Sequence, residues 1–142
     1  MDLDILKRAM EQYIPFNRFL GLRVEELREG FVRLVVPFRD ELVGDPLRPA
    51  LHGGVLSALA DTAGGAAVWT KVTDDRGRVS TIDLRIDYLR PAKLEPVIAE
   101  AEVVRAGNRV GVADVRLFQP SDPEMTIATG KGVYNIVMVK DS

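Results

Sequence analysis

The residues best suited to chemistry lie in one apolar stretch, Ala50 to Thr70, which reads ALHGGVLSALADTAGGAAVWT. Asp61 is the only charged residue in it, so we expect a carboxylate in a dry place without a local partner. His52-Gly53-Gly54 begins a predicted helix, whose first N–H groups have no partner within the helix and attract anions. A glycine amide that polarises a carbonyl and a carboxylate that activates water or attacks directly are what hydrolysis of an acyl group needs.

This stretch predicts a buried central helix, because nearly every residue after Gly54 is small or apolar. The run is too short and too rich in alanine and glycine to span a membrane. Gly64 and Gly65 fall inside the helix, where each costs about 1 kcal/mol relative to alanine. We therefore expect another part of the protein to approach the helix backbone closely at these two residues.

Gly53 and Asp61 cannot act on one carbonyl group from the same helix. Eight residues separate them, which is about 12 Å at the rise of an α-helix. If the two groups cooperate, the amide comes from one subunit and the carboxylate from another, across a two-fold axis. The alternative is that Asp61 is a hydrogen-bonded structural acid and that the glycines only begin the helix.

The composition favours one globular domain over residues 1–142. Hydrophobic residues make up 46%, charged residues 28%, and the net charge is −2, which is ordinary for a soluble protein with one core. Because the chain has no cysteine and only one histidine, His52, we expect no disulfide, no metal site and a cytoplasmic location. The acidic N-terminus lacks the long apolar segment of a signal peptide. No basic face or membrane segment stands out, so we expect neither nucleic acid nor membrane as a partner.

Hydrophobic periodicity predicts the elements that position these residues. A short amphipathic helix over residues 2–14 ends at Pro15, and a helical turn follows over residues 16–20. The core, residues 21–139, holds the central helix and strands at 22–27, 31–38, 79–89, 97–105, 109–118 and 126–139, with a turn at 74–77. This order predicts an α+β fold in which an antiparallel sheet of about six strands wraps around the central helix.

For two of the strands, the sequence predicts which residues share a face. Strict alternation over 79–89 predicts one face with Ile82, Leu84, Ile86 and Tyr88, and the opposite face with Thr81, Asp83, Arg85 and Asp87. In the last strand, Ala128, Gly130 and Gly132 share a face. Such small residues make room for a close neighbour, for which the glycine-bearing helix is the candidate.

These motifs together resemble a known family. LHGGVLSALADTAGGAAV, then TIDLRIDYLRPAK and a Gly-Asn hairpin, resemble the hotdog-fold acyl-CoA thioesterases of the phenylacetate-degradation (PaaI-like) type. The resemblance covers roughly residues 21–137 and implies a single hotdog thioesterase domain. It also implies a homodimer, often paired into a dimer of dimers. The implied activity is hydrolysis of acyl-CoA thioesters without a cofactor, coenzyme A being part of the substrate.

The resemblance also implies roles for individual residues. Gly53 would polarise the thioester carbonyl, Asp61 of the partner subunit would be the nucleophile or general base, and Thr81 would orient the attacking water. His52 and Gly54 would meet the substrate at the entrance. Two segments would bind the coenzyme A arm, with basic side chains for its phosphates: Tyr88, Leu89, Arg90, Pro91, Ala92 and Lys93, and the hairpin residues Arg105, Gly107, Asn108 and Arg109.

Each of these residues also has a purely structural interpretation. The arginines suit solvated strand ends, Thr81 suits any strand, and His52 suits a helix entrance. Trp69 is expected in the core. The chain also departs from the family in the loop before HGG, where relatives often carry an asparagine that orients the carbonyl or the water. Residues 41–51 contain none, and Asp45 or Arg48 are the candidates to replace it.

Two other functions remain open from the sequence. A hydratase or dehydratase of acyl thioesters needs a histidine paired with an acid, which the single His52 at a helix entrance does not match. A non-catalytic acyl-CoA sensor would use the same pocket without turnover, although a buried charge at Asp61 without a task is expensive. Thiol release from acyl-CoAs, compared with binding alone, separates these functions.

Overall fold

The computed structural model describes residues 1–74 and 76–138 and has the α+β arrangement that the sequence predicts. A six-stranded antiparallel sheet with the strand order β1-β2-β6-β7-β8-β5 wraps around the long helix α3, as in the hotdog fold. The predicted turn at 74–77 and the predicted last strand each include a residue, Asp75 and Val139, that lies outside the described residues. The elements are α1 (Leu3–Arg8), a π-helical turn (Ala9–Tyr13), α2 (Pro15–Leu20), β1 (Arg23–Arg28), β2 (Phe31–Val36), a 3-10 turn (Asp40–Leu42), β3 (Val43–Asp45), β4 (Ala50–Leu51), α3 (Gly53–Trp69), β5 (Arg78–Tyr88), β6 (Val97–Ala106), β7 (Val110–Phe118) and β8 (Ala128–Val137).

The N-terminal segment is not one regular helix over residues 2–14. It is α-helical only to Arg8 and closes with a wider turn, in which the Ile14 N–H donates to the Ala9 carbonyl oxygen at 3.1 Å. Ile14 is extended because Pro15 follows it, and Pro15 then begins α2. The buried Asn17 side chain of α2 donates to the Met10 carbonyl oxygen at 3.0 Å and ties the two pieces together.

Helix α3 supplies the centre of the core but is not buried on all sides. Leu59, Ala60, Ala63 and Val68 are fully buried against the sheet. The expectation of an all-round buried helix is wrong for one face, because the sheet covers only the other. We call this the open face of α3; its residues are exposed or partly buried, and they are Gly54, Ser57, Ala58, Asp61, Thr62, Gly65 and Trp69.

The close neighbour expected at the helix glycines is a tyrosine side chain. A Cβ atom on Gly64 would lie 2.3 Å from the hydroxyl oxygen of Tyr134, which comes from β8. A Cβ atom on Gly132 would lie equally close to the same oxygen, at 2.3 Å. Gly132 of β8 therefore makes room for Tyr134 between sheet and helix, whereas a Cβ atom on Gly130 would meet Ile86 instead.

Gly111 tests how tightly the sheet packs on α3. A Cβ atom there would lie 2.5 Å from Cγ1 and 3.3 Å from Cβ of the buried Val68. We expect Gly111→Ala to lower the free energy of unfolding by about 1–3 kcal/mol, the usual cost of overpacking. Gly107→Ala is the matched control, because its nearest neighbour would be the Val110 carbonyl oxygen at 3.7 Å. Urea denaturation of the two variants measures the difference, and equal stabilities would contradict this packing.

Candidate active site

Asp61 and Thr81 meet where the middle of α3 faces β5. The Thr81 hydroxyl donates to Asp61 Oδ1 at 2.7 Å. Asp61 is partly buried on the open face of α3, so the expectation of a dry carboxylate is wrong for the single chain. Its partner Thr81 comes from β5 and not from its own stretch, in which no partner was expected. The structure brings together two of the three residues to which the family resemblance gives catalytic roles; the third, Gly53, lies at the start of α3.

A β-bulge in β5 places Thr81 on the side of the sheet that faces α3, which we call the inner side. The register between β5 and β8 shifts after Thr81: Thr81 lies opposite Tyr134, and Asp83 lies opposite Val133. Ile82 is the extra residue and is 57% exposed. The predicted alternation is therefore wrong at this point, because Thr81 shares the inner side with Leu84, and Ile82 does not.

Tyr134 is the residue of the site that sequence reasoning missed. Its side chain is 1% exposed, and its hydroxyl donates to the main-chain carbonyl oxygen of Asp61 at 3.0 Å. Burial, followed by the negative charge of Asp61, raises the pKa of the Tyr134 phenol above its ordinary value. Gly64 and Gly132 were a signal that something approaches closely, but their spacing does not reveal which side chain it is.

A cavity of about 230 Å³ opens beside Asp61, Thr81 and Tyr134. Its other walls are largely apolar and come from the N-terminal segment, α3 and β5: Met10, Ile14, Phe16, Asn17, Thr62, Gly65, Ala66, Trp69 and Val79. Trp69, expected in the core, packs against the core and also closes one side of this cavity. The arrangement places a carboxylate and a hydroxyl at the edge of a space suited to an apolar group.

The N-terminus of α3 forms a second part of the site. His52 Nδ1 accepts a hydrogen bond from the Gly54 N–H at 2.8 Å, so His52 caps the helix. Within the described residues, the Gly53 N–H has no hydrogen-bond acceptor. A cavity of about 320 Å³ adjoins Gly53 and is lined by the segment Tyr88–Ala92. Of the two glycine amides, the one at Gly53 is therefore available to a ligand.

The segment after β5 is fixed to the body of the protein. The Tyr88 hydroxyl donates to the Gly53 carbonyl oxygen at 3.2 Å and also contacts the Ser57 hydroxyl. Arg90 Nη1 donates to the Thr126 carbonyl oxygen at 3.1 Å, and the Lys93 N–H donates to the Gln119 side chain at 2.9 Å. The segment that the resemblance assigns to coenzyme A is thus held in place beside Gly53.

The hairpin at residues 105–109 lies at the other end of α3. It joins β6 to β7, and Gly107 and Asn108 line a cavity of about 300 Å³ with Lys71, Val72 and Thr73, which follow the helix. Since α3 has 17 residues, its ends are about 25 Å apart. The two segments expected to bind coenzyme A do not meet within one chain.

The loop that lacks the family's asparagine braces the helix entrance. Asp45 Oδ1 accepts hydrogen bonds from the Leu47 and Arg48 N–H groups, both at 3.0 Å, and so shapes the turn between β3 and β4. The His52 N–H donates to the Leu42 carbonyl oxygen at 2.8 Å. That Asp45 or Arg48 replaces the asparagine stays a prediction, with the Asp45 carboxylate already engaged in this turn.

Within residues 1–74 and 76–138, no three side chains of histidine, cysteine, aspartate or glutamate lie close enough together to hold a metal ion. No helix in the same ranges is both long and apolar enough to cross a bilayer.

Comparison with known proteins shows the family to which the chain is similar. Residues 49–126, from just before HGG to the end of the turn after β7, match the family model of the thioesterase superfamily. The chain belongs to the thioesterase superfamily. It is 34% identical to the medium/long-chain acyl-CoA thioesterase YigI of Escherichia coli, over 94% of this chain and 93% of the relative.

Two other proteins are similar to this chain over nearly its full length. A protein of Halobacterium salinarum that is provisionally named an esterase is 40% identical, over 95% of each chain. A crystal structure of a thioesterase family protein from Silicibacter pomeroyi superposes with a TM-score of 0.87 and 27% identity. That superposition covers 96% of this chain and 98% of the other. The whole fold, and not only the matched segment, is thus shared.

The raised pKa of Tyr134 predicts a loss of stability in alkaline solution for this thioesterase-superfamily chain. Above the ordinary tyrosine pKa of about 10, the unfolded chain releases a proton that the folded chain keeps, so unfolding becomes more favourable. We expect the stability advantage of the wild type over Tyr134→Phe to shrink by up to about 1.4 kcal/mol per pH unit in that range. Denaturant unfolding of both proteins at several pH values measures it. An advantage that does not change with pH would contradict the burial of this phenol.

Proposed function

We propose that this chain hydrolyses acyl-CoA thioesters to the free acid and coenzyme A, as a cytoplasmic PaaI-like thioesterase. The observation that carries the proposal is the Asp61–Thr81 pair at the edge of an apolar cavity. The name of the Escherichia coli relative, a medium/long-chain acyl-CoA thioesterase, supports coenzyme A as the thiol.

In the proposed reaction, Asp61 acts as general base or as nucleophile. As general base, it takes a proton from a water whose oxygen bonds to the thioester carbonyl carbon, and the C–S bond then breaks as the proton passes to the thiolate. As nucleophile, its oxygen bonds to the carbonyl carbon and the C–S bond breaks, so that coenzyme A leaves as the thiolate. Water then cleaves the resulting anhydride, which releases the acid and the free Asp61 carboxylate, and a proton from that water passes to the thiolate. In either case the Thr81 hydrogen bond at Oδ1 holds the carboxylate in one orientation.

The Gly53 N–H is suited to stabilise the negative charge that develops on the carbonyl oxygen. It lies at the first position of α3, where the helix dipole favours an anion, and it is free of other acceptors in the described part of the chain. A preorganised donor of this kind contributes about 2.7–4 kcal/mol to catalysis in other hydrolases.

If Gly53 and Asp61 act on one carbonyl group, the distance along α3 means that they come from two chains. We propose a homodimer, with a dimer of dimers as its further assembly. The open face of α3, with small residues such as Ala58 and Gly65, lets a second helix approach. Strand β5 has 11 residues and lies at the edge of the sheet that the described residues form, so one of its sides has no neighbouring strand there and can pair. In such a dimer, the hairpin at 105–109 of one chain can approach the segment Tyr88–Lys93 of the other.

The cavity beside Asp61 suits the acyl group. Its volume corresponds to roughly seven or eight water molecules at about 30 Å³ each, and a methylene group is of similar size. Gly65 leaves the path along α3 open, and Trp69 closes it eight residues, or about 12 Å, beyond Asp61. An aliphatic acyl chain of medium length is therefore the proposed substrate.

The two alternative functions receive less support from the geometry. In the described part of the chain, His52 has no carboxylate partner, and its Nδ1 caps α3. A hydratase would need that histidine for proton transfer. A sensor would need the cavity but not the hydrogen-bonded Asp61–Thr81 pair.

Asp61→Asn tests the carboxylate, because it keeps size and polarity and removes the charge. We expect the rate of thiol release from medium-chain acyl-CoA to fall at least about a hundredfold, while acyl-CoA still binds. Asp114→Asn makes the same change at an exposed carboxylate that pairs with Lys131, and it should leave the rate unchanged. An Asp61→Asn protein that hydrolyses at the wild-type rate would exclude Asp61 as the catalytic group.

A mixed dimer of two inactive variants tests the shared site. A Gly53→Pro chain has no amide proton at the carbonyl, and an Asp61→Ala chain has no carboxylate, so each homodimer should be inactive. In the mixed dimer both defects fall in one site, and the other site is intact. We expect up to about half of the wild-type rate per mixed dimer.

Two different affinity tags isolate the mixed dimer from co-expressed chains. A dimer of two Asp61→Ala chains that carry the same two tags is the control, and it should stay inactive. Circular dichroism confirms that each preparation is folded, which matters for proline although the first helical turn tolerates it. Folded mixed dimers without activity would show that the site is not shared between chains.

A further inference from the structure

A buried hydroxyl lies directly behind Asp61, and the reaction proposed above does not use it. Tyr134 reaches from β8 to the middle of α3, where its hydroxyl donates to the Asp61 main-chain carbonyl oxygen at 3.0 Å. Its side chain also forms part of the wall of the cavity that contains Asp61 and Thr81. Asp61 is therefore held at two points, its carboxylate by Thr81 and its main chain by Tyr134.

Glycines on both sides make this contact possible. A Cβ atom on Gly64 or on Gly132 would lie 2.3 Å from the Tyr134 hydroxyl oxygen. Gly65 adds a looser contact, since its Cβ atom would lie 3.4 Å from Cε1 of the ring. A glycine inside a helix weakens it, so α3 gives up stability at the turn after Asp61 to admit this phenol.

The phenol keeps its proton at neutral pH, so it is a hydrogen-bond donor there. Burial and the nearby charge of Asp61 raise the pKa of Tyr134 above its ordinary value, so the hydroxyl keeps its proton. A protonated phenol at this place can fix the helix turn without adding a second charge beside the carboxylate.

We propose that Tyr134 is a positioning residue: its hydroxyl fixes the main chain of Asp61 and so aims the carboxylate at the acyl group in the cavity. This inference rests on the proposed thioester hydrolysis. A general base or nucleophile loses much of its effect when it moves by about 1 Å. Tyr134 does not contact the reacting atoms, and it acts through Asp61 alone.

Tyr134→Phe removes only the hydroxyl and tests the inference. We expect kcat for thiol release to fall about tenfold with KM unchanged, because the ring that lines the cavity is kept while the hydrogen bond that aligns the carboxylate is lost. Tyr13→Phe removes the hydroxyl of a tyrosine that is 66% exposed, and it should leave both constants unchanged. Each rate is divided by the fraction of the protein that is folded, which circular dichroism measures.

Gly64→Ala approaches the same contact from the helix side. The added methyl group meets the Tyr134 hydroxyl, so we expect it to displace the phenol and to lower kcat as Tyr134→Phe does. The double variant combines Gly64→Ala with Tyr134→Phe and therefore lacks the hydroxyl oxygen. The nearest ring atoms, Cζ and Cε2, would lie 3.0 and 3.1 Å from the added Cβ atom. The double variant should therefore be no less active than either single variant, since both act on one contact.

The outcomes separate this inference from the proposed function. An unchanged kcat in Tyr134→Phe, or a raised KM with kcat unchanged, overturns the positioning role. Multiplicative losses in the double variant also overturn it, because they would show two independent effects. If these results occur while Asp61→Asn is inactive, thioester hydrolysis at Asp61 stands without Tyr134. If Asp61→Asn is fully active, the proposed function itself fails.

Discussion

The fixed rise of an α-helix, about 1.5 Å per residue, determines how a site can be built on this protein. Gly53 begins α3 and Asp61 lies in its middle, so the available amide and the carboxylate are about 12 Å apart. The two cavities are separated in the same way, because one adjoins Gly53 and the other adjoins Asp61. In the proposed dimer, a second helix that runs antiparallel past the open face of α3 would bring the two kinds of group together.

A second constraint is that the sheet must pack closely on α3 while leaving room for one polar side chain between the two. Tyr134 fills that place, and glycines at positions 64 and 132 leave the space that its ring and hydroxyl need. The β-bulge after Thr81 has a related effect, since it turns a hydroxyl toward α3 on a strand whose simple alternation would turn it away. Both features weaken a regular element, the helix at Gly64 and strand β5 at its bulge, and both lie beside Asp61.

The sequence predicted the elements well because their signals are local. The periodicity of the strands and the apolar run of α3 predicted an antiparallel sheet around a central helix, and the family resemblance implied that this is the hotdog fold. The two helix glycines predicted a close approach that the structure shows. The partly exposed Asp61 and the inward Thr81 were predicted wrongly, since one depends on how much of α3 the sheet covers and the other on a bulge. Tyr134 was missed because its contact with Asp61 joins residues 73 positions apart.

The central claim is that one thioester carbonyl lies between two chains. A crystal structure of the Asp61→Asn protein with a non-hydrolysable acyl-CoA analogue tests it most directly. The claim predicts the analogue's carbonyl oxygen about 3 Å from the Gly53 N–H of one chain. It also predicts that residue 61 of the other chain faces the carbonyl carbon and that the acyl chain runs toward Trp69. A carbonyl group that contacts residues 53 and 61 of the same chain, or an analogue bound away from both, would contradict it.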